Sequence, residues 1–143
     1  MAETIRELIL QDIEGVLESR YDNIYRGRTQ LEYGDLPCAV LLPGMESAER
    51  VYGEQRITLP ISIYALQIIE DEDVGDLAEV LLGQLISDIV GNKDNIGYIS
   101  DMQYSSGGVD TWPEQNEQAL SVQIDIEILY STNIGDPYNQ KTI

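Results

Sequence analysis

"QALSVQIDIEILYSTN" occupies residues 118–133. From Leu120 the apolar residues fall on every second position: Leu120, Val122, Ile124, Ile126, Ile128 and Tyr130. Successive side chains of a strand point to opposite faces, so this is a half-buried strand with one continuous apolar face. Its other face carries Asp125 and Glu127, two carboxylates about 7 Å apart at roughly 3.4 Å of rise per residue. Two acids on one strand can hold a metal in a phosphoryl-transfer enzyme. They can equally be the polar face of a sheet that meets something else.

The residues around the pair favour the second reading. A phosphoryl-transfer site needs more than two acids, usually a third acid and a positioned lysine or arginine for the developing charge. The strand continues as Ile128, Leu129 and Tyr130 and supplies neither. The chain has no histidine, which removes Ser–His and Cys–His nucleophile pairs and histidine metal sites. No phosphate-binding glycine loop, G-x-S-x-G or HExxH signature is present. No catalytic residue, cofactor or metal is expected.

The 143 residues suffice for one domain with its own core. No stretch has the apolar length of a membrane span, and the first residues carry acids where a signal peptide carries bases. The expectation is a protein that folds in a cytoplasm. Cys38, the only cysteine, lies in the apolar run PCAVLL and reads as a small buried hydrophobe. The net charge of −18 is uneven: residues 1–56 hold all six arginines and 11 acids, whereas residues 57–143 hold two lysines and 15 acids. Such a surface repels nucleic acid, since phosphate contacts rely on clustered Lys and Arg. It suits solubility, a surface that must not hold DNA, or contact with a basic partner.

Outward from the opening strand, TWPEQNEQ is preceded by a segment that is strand-like from Tyr98 to Tyr104 and is bent by Ser105-Ser106-Gly107-Gly108. The two segments read as an antiparallel hairpin. Before them, DVGDLAEVLLGQLISDIVGN predicts a helix with Val74, Leu77, Ala78, Leu81, Leu85 and Ile89 on its buried stripe, widened by Leu82 and Ile86. Four acids, residues 70–73, precede it where the helix dipole favours negative charge, and they lack the spacing of a calcium loop. RITLPISIYALQ alternates as a second long strand, and Pro60 within it implies an edge or a bulge because proline lacks an N–H. Residues 46–55 form either a hairpin arm turning at Gly53 or a loop. Residues 38–42 show no alternation and predict a strand covered on both faces. At the start, Thr4 and Glu7 have capping-box spacing ahead of an amphipathic helix reaching about residue 20. Arg20, Arg26 and Arg28 cluster at and just after its end, as charge partners of the helix terminus or as an intersubunit contact.

The fold expected is therefore α+β: a two-layer sandwich in the order α-β-β-α-β-β, with a mostly antiparallel sheet of four or slightly more strands and two helices packed on one face. Residues 1–132 make the domain and 133–143 an extended tail. Nine tyrosines without a phenylalanine suit surfaces that are apolar but keep a polar tip wet.

This order of pieces resembles the tail terminator (tail completion) proteins of long-tailed bacteriophages. The resemblance runs through TIRELILQDIEGVLE, PCAVLLPG, RITLPISIYALQ and DVGDLAEVLLGQLISDIVG. Its most specific part is the tyrosine-ended strand leading into a Gly-Asp-Pro segment, IEILYSTNIGDPY. The resemblance implies a structural virion protein of the head-proximal tail end, assembled in the host cytoplasm. It implies a hexameric ring that stops growth of the tail tube, binds the tube protein on one side and a neck or head-completion protein on the other, and lets DNA through without specific binding. It points to regions more than to fixed residues: Asp136 and Tyr138 in the tail, Arg50 and Arg56 in residues 46–56, and Asp125 and Glu127 on the last strand. Three alternatives remain: a neck or head-completion ring protein, a metal enzyme using Asp125 and Glu127, and an acidic DNA mimic that inhibits a basic protein.

Overall fold

A computed structural model describes residues 3–27, 35–68, 74–110 and 119–140. The elements are α1 (Ile5–Leu17), β1 (Asn23–Arg26), β2 (Cys38–Pro43), β3 (Ser47–Val51), β4 (Glu54–Ile68), α2 (Val74–Ile89), a 3-10 turn (Lys93–Asn95), β5 (Ile99–Asp110) and β6 (Ala119–Asn133). The protein is α+β, with two helices and one mixed six-stranded sheet.

The sheet is built around β4 and β6, each of 15 residues, paired antiparallel from Glu54↔Asn133 to Ile68↔Ala119. Both strands alternate with period two, and the register sets apolar against apolar: Ile57 opposite Tyr130, Leu59 opposite Ile128, Ile61 opposite Ile126, Ile63 opposite Ile124. A slip of one residue would turn this whole set to the other face, so the pattern itself holds the register. These residues share one core with Ile5, Ile9 and Ile13 of α1 and Leu81, Leu85 and Ile89 of α2. Each fully buried Leu or Ile there contributes roughly 1.5–3 kcal/mol.

The sheet has six strands where four or slightly more were expected, and the observed order is α-β-β-β-β-α-β-β in place of α-β-β-α-β-β. Both additional strands are short and lack alternation. β1 has four residues and pairs in parallel with β2. β3 pairs antiparallel with β4 through a two-residue turn at Tyr52 (φ 49°) and Gly53 (φ 81°). Positive φ at both central residues is the geometry that matches strand twist in a tight hairpin. Residues 46–55 are thus a hairpin arm. β2 and β3 border the same side of β4 in succession, and Pro60 falls in the gap between them, where its carbonyl accepts from Gly44 N–H at 2.8 Å. A residue's N–H and C=O point to the same side of a strand. Proline's missing donor therefore costs no ladder bond, although β4 is not an edge strand.

β2 is covered on both sides: Cys38, Ala39, Val40 and Leu41 are all fully buried. Ala39 and Leu41 join the main core, while Cys38 and Val40 form a second cluster with Leu66. α1 begins at Thr4, whose Oγ1 accepts from Glu7 N–H at 3.0 Å. The Glu7 carboxylate does not complete a capping box; it binds Gln11 and Arg26. In α2 the buried stripe includes Ala78, Leu81, Leu85 and Ile89, with Leu77, Leu82 and Ile86 partly buried, as the spacing predicts. The acids at 70–73 and Trp112 lie outside the described residues. β5 stays one strand through Ser105 and Ser106, at the cost of a register shift between Tyr104 and Ser106 and another between Ile99 and Asp101. Such shifts mark one extra residue bulged out of the ladder.

The segment after Asn133 is tied down through Asn139. Gly135 takes φ 71°, Asp136 N–H donates to Asn133 C=O at 3.0 Å, and Asn133 N–H donates to Asn139 C=O at 3.0 Å. Pro137 C=O then accepts from Ile5 N–H at 2.8 Å, satisfying one of the amides left open at the start of α1.

Candidate functional site

Asp125 stands on the face of β6 opposite the helices, at the centre of a polar cluster. Its Oδ1 accepts from Ser62 Oγ at 2.7 Å and from Gln123 Nε2 at 2.8 Å, and its Oδ2 accepts from Ser106 Oγ at 2.9 Å. Ser62 comes from β4 and Ser106 from β5, so the carboxylate fastens three adjacent strands. Partial burial alone would raise its pKa, but the three hydrogen bonds outweigh it and hold Asp125 below its ordinary value. Glu127 is half-buried on the same face, opposite Pro60 and Gln103, and its carboxylate has no hydrogen-bond partner among the described residues. The strand brings the two acids to one face, as the alternation predicts, but the lone pairs of Asp125 serve neighbouring side chains. No group of three or more His, Cys, Asp or Glu among the described residues is placed to hold a metal.

The arginines divide into two kinds. Arg20 makes a forked contact with Asp88, Nε at 2.6 Å and Nη2 at 3.1 Å, joining the end of α1 to α2, and the hydrogen bond raises its pKa further. Arg26, on β1, reaches back to Glu7 and Glu14 on α1. Burial opposes its charge, yet the two carboxylates outweigh that and raise its pKa. These two arginines are intramolecular clasps; exposed pairs of this kind contribute about 0.2–1 kcal/mol each. Arg28 lies outside the described residues. Arg50 and Arg56, by contrast, stand on the β3–β4 arm. Arg56 meets Glu54 at 3.2 Å and remains largely exposed, and Arg50 has no acidic partner among the described residues.

The arm carries further groups that spacing did not single out. Tyr52 at its tip and Met45 at its base are each 90% exposed. The base is held by Arg6, which contacts Glu46 at 2.9 Å and the Gly44 carbonyl at 3.3 Å, and by Tyr130, which donates to Glu46 at 3.4 Å. Burial, reinforced by the Glu46 charge, pushes the Tyr130 hydroxyl up to about 12. Two recesses flank the arm. One of about 340 Å³ lies between Arg6, Glu46, Tyr130 and Pro137; the other, about 550 Å³, lies over Glu49, Arg56, Leu129 and Ser131. Asp136 caps its own turn, accepting from Tyr138 N–H at 3.1 Å and Asn139 Nδ2 at 2.9 Å, and the Tyr138 ring is exposed. The sequence pattern marked the arm only by its turn at Gly53, and it did not show that Arg20 is paired within the chain while Arg50 meets no acid among the described residues.

No described helix is long and apolar enough to cross a membrane. No protein-family model matches the chain, and no curated protein matches it at a significant level.

Proposed function

We propose that this chain is a structural virion protein: a tail terminator that forms a ring on the end of a tail tube, stops tube growth and offers the surface to which the neck attaches. In this reading the two helices form one layer of a two-layer sandwich and the sheet the other. The observation that carries the reading is the placement of the IEILYSTNIGDPY segment. The strand carrying Asp125 and Glu127 ends in a Gly-Asp-Pro turn whose Pro137 carbonyl meets the first amide of α1. The most specific part of the resemblance is thereby an integral part of the domain. Two further features support it. The lone pairs of Asp125 are engaged by Ser62, Ser106 and Gln123, which suits a strand fastener better than a metal ligand. The charge of −18 suits a channel that DNA crosses without adhering. The partners in this reading are further copies of the chain, a tube protein and a neck protein, and the ring sits at the head-proximal end of the tail.

Electron microscopy of particles made without this chain tests the proposal. Tails of uncontrolled length, or tails not joined to heads, are the expected result. Joined tails of normal length would overturn it.

A further inference from the structure

The structure describes six cationic side chains, and five of them are spent within the chain. Arg6 is paired with Glu46, Arg20 with Asp88, Arg26 with Glu7 and Glu14, Arg56 with Glu54, and Lys93 with Asp101 at 3.6 Å. The sixth, Arg50, is exposed on β3 and meets no acid among the described residues, in a chain with 26 acids. It stands two residues from Tyr52, which projects almost fully into solvent while holding a backbone conformation that side chains other than glycine rarely adopt. Arginine, tyrosine and methionine are the residues enriched at the centres of protein interfaces. β3 also presents a free outer edge, since β4 is its only partner among the described strands.

We propose that the β3–β4 arm docks on a second copy of this chain, its β3 edge lying along β5 of that copy with Arg50 directed at the acids there. This rests on the ring reading, for which it supplies the contact between subunits. β5 is the described strand with a free edge on the opposite side of the sheet. It exposes Tyr104 and Val109, Tyr98 is exposed just before it, and around its start Asp94 and Asp101 outnumber Lys93. Its two bulges leave residues 101–104 and 106–110 in regular register, lengths that a five-residue β3 can match. The two edges border opposite sides of the sheet, so each copy adds in the same sense as the last. That is a heterologous contact, which closes into a ring when the rotation permits. Pairing of β3 with its own symmetry mate is disfavoured: centred on the strand, it sets Glu49 directly against Glu49 of the other copy.

Sedimentation velocity on the full chain tests the charge. Self-association is expected to weaken about tenfold or more in Arg50→Glu, and to weaken in the wild type between about 0.05 and 0.5 M salt. Circular dichroism should be unchanged, because the Arg50 side chain is exposed and makes no ion pair among the described residues. A wild type monomeric to about 1 mM, or an Arg50→Glu variant that associates like the wild type, overturns the contact. Photo-crosslinking from p-benzoylphenylalanine at position 52, with isotopically mixed copies, tests the receiving surface. Crosslinks to residues 98–109 of the other copy are expected, and crosslinks confined to residues 45–56 overturn it. Loss of the arm contact alone leaves the ring reading standing, while joined tails of normal length overturn that reading and leave the solution measurement to decide the contact.

Discussion

The two faces of β6 are built from the same fifteen residues and obey different rules. On the helix side, Leu120, Val122, Ile124, Ile126, Ile128 and Tyr130 are buried one after another. On the other side burial fades along the strand: Ser121 is fully buried beside the Cys38, Val40 and Leu66 cluster, Asp125 is half-buried and hydrogen-bonded, and Glu127 is half-buried without a hydrogen-bond partner among the described residues. The first face is governed by apolar area removed from water and by close packing, which apolar residues of matching volume can supply. The second is governed by particular neighbours, since a polar group is stable there only where a donor meets it.

Substitutions along this one strand separate the two rules. Ile126→Ala, on the helix side, should cost about 2–5 kcal/mol in urea unfolding, the range for a cavity in a packed core. A cost below about 1 kcal/mol would mean that the helices do not pack there as described. Asp125→Asn should cost about 1–2 kcal/mol at neutral pH, because three donors lose a charged acceptor. Its pH dependence has a definite sign. The folded pKa lies below the ordinary 3.8, so the stabilisation is present above that value and is lost as pH falls through the lower folded value. Unfolding curves of wild type and variant should therefore converge as pH drops below about 3.8, and a constant gap would show that Asp125 is not the titrating group. Ser121→Ala should be neutral or stabilising by up to about 1 kcal/mol, because the Ser121 hydroxyl is buried without a hydrogen-bond partner. Glu127→Gln should change stability by less than about 0.5 kcal/mol. A larger loss in thermal denaturation would place Glu127 in a network within the monomer.

How much was legible beforehand follows the same division. The core face of β6, the stripe of α2, the Thr4 cap and the doubly covered run at Cys38 were all readable, because hydrophobic periodicity and capping are written within one or two turns of chain. β1 was not predicted as a parallel edge, and the pattern left β3 open between a hairpin arm turning at Gly53 and a loop. NIYR has no alternation, and SAERV exposes four of its five residues, so each is a strand only because a partner strand lies beside it. Arg20 and Arg50 look alike in the sequence. They are told apart by Asp88, which is 68 residues from Arg20 in the chain and 2.6 Å away in space. The turn at 133–139 has no periodicity to read, since it is made by one positive φ and by backbone bonds across a few residues.

By itself, then, the sequence determined the α+β class, the two long strands with their inward faces, the capped first helix and the acidic surface. Each of these depends on local pattern and on the cost of exposing apolar area. Only the tertiary structure decided which acids are engaged and which cation is left over. Hydrogen bonds and ion pairs act over about 3 Å, and the deciding partners can be distant in the chain: Ser62 is 63 residues from Asp125 and Asp88 is 68 from Arg20. It was the completed fold that drew Asp125 into the sheet and left Arg50 facing outward.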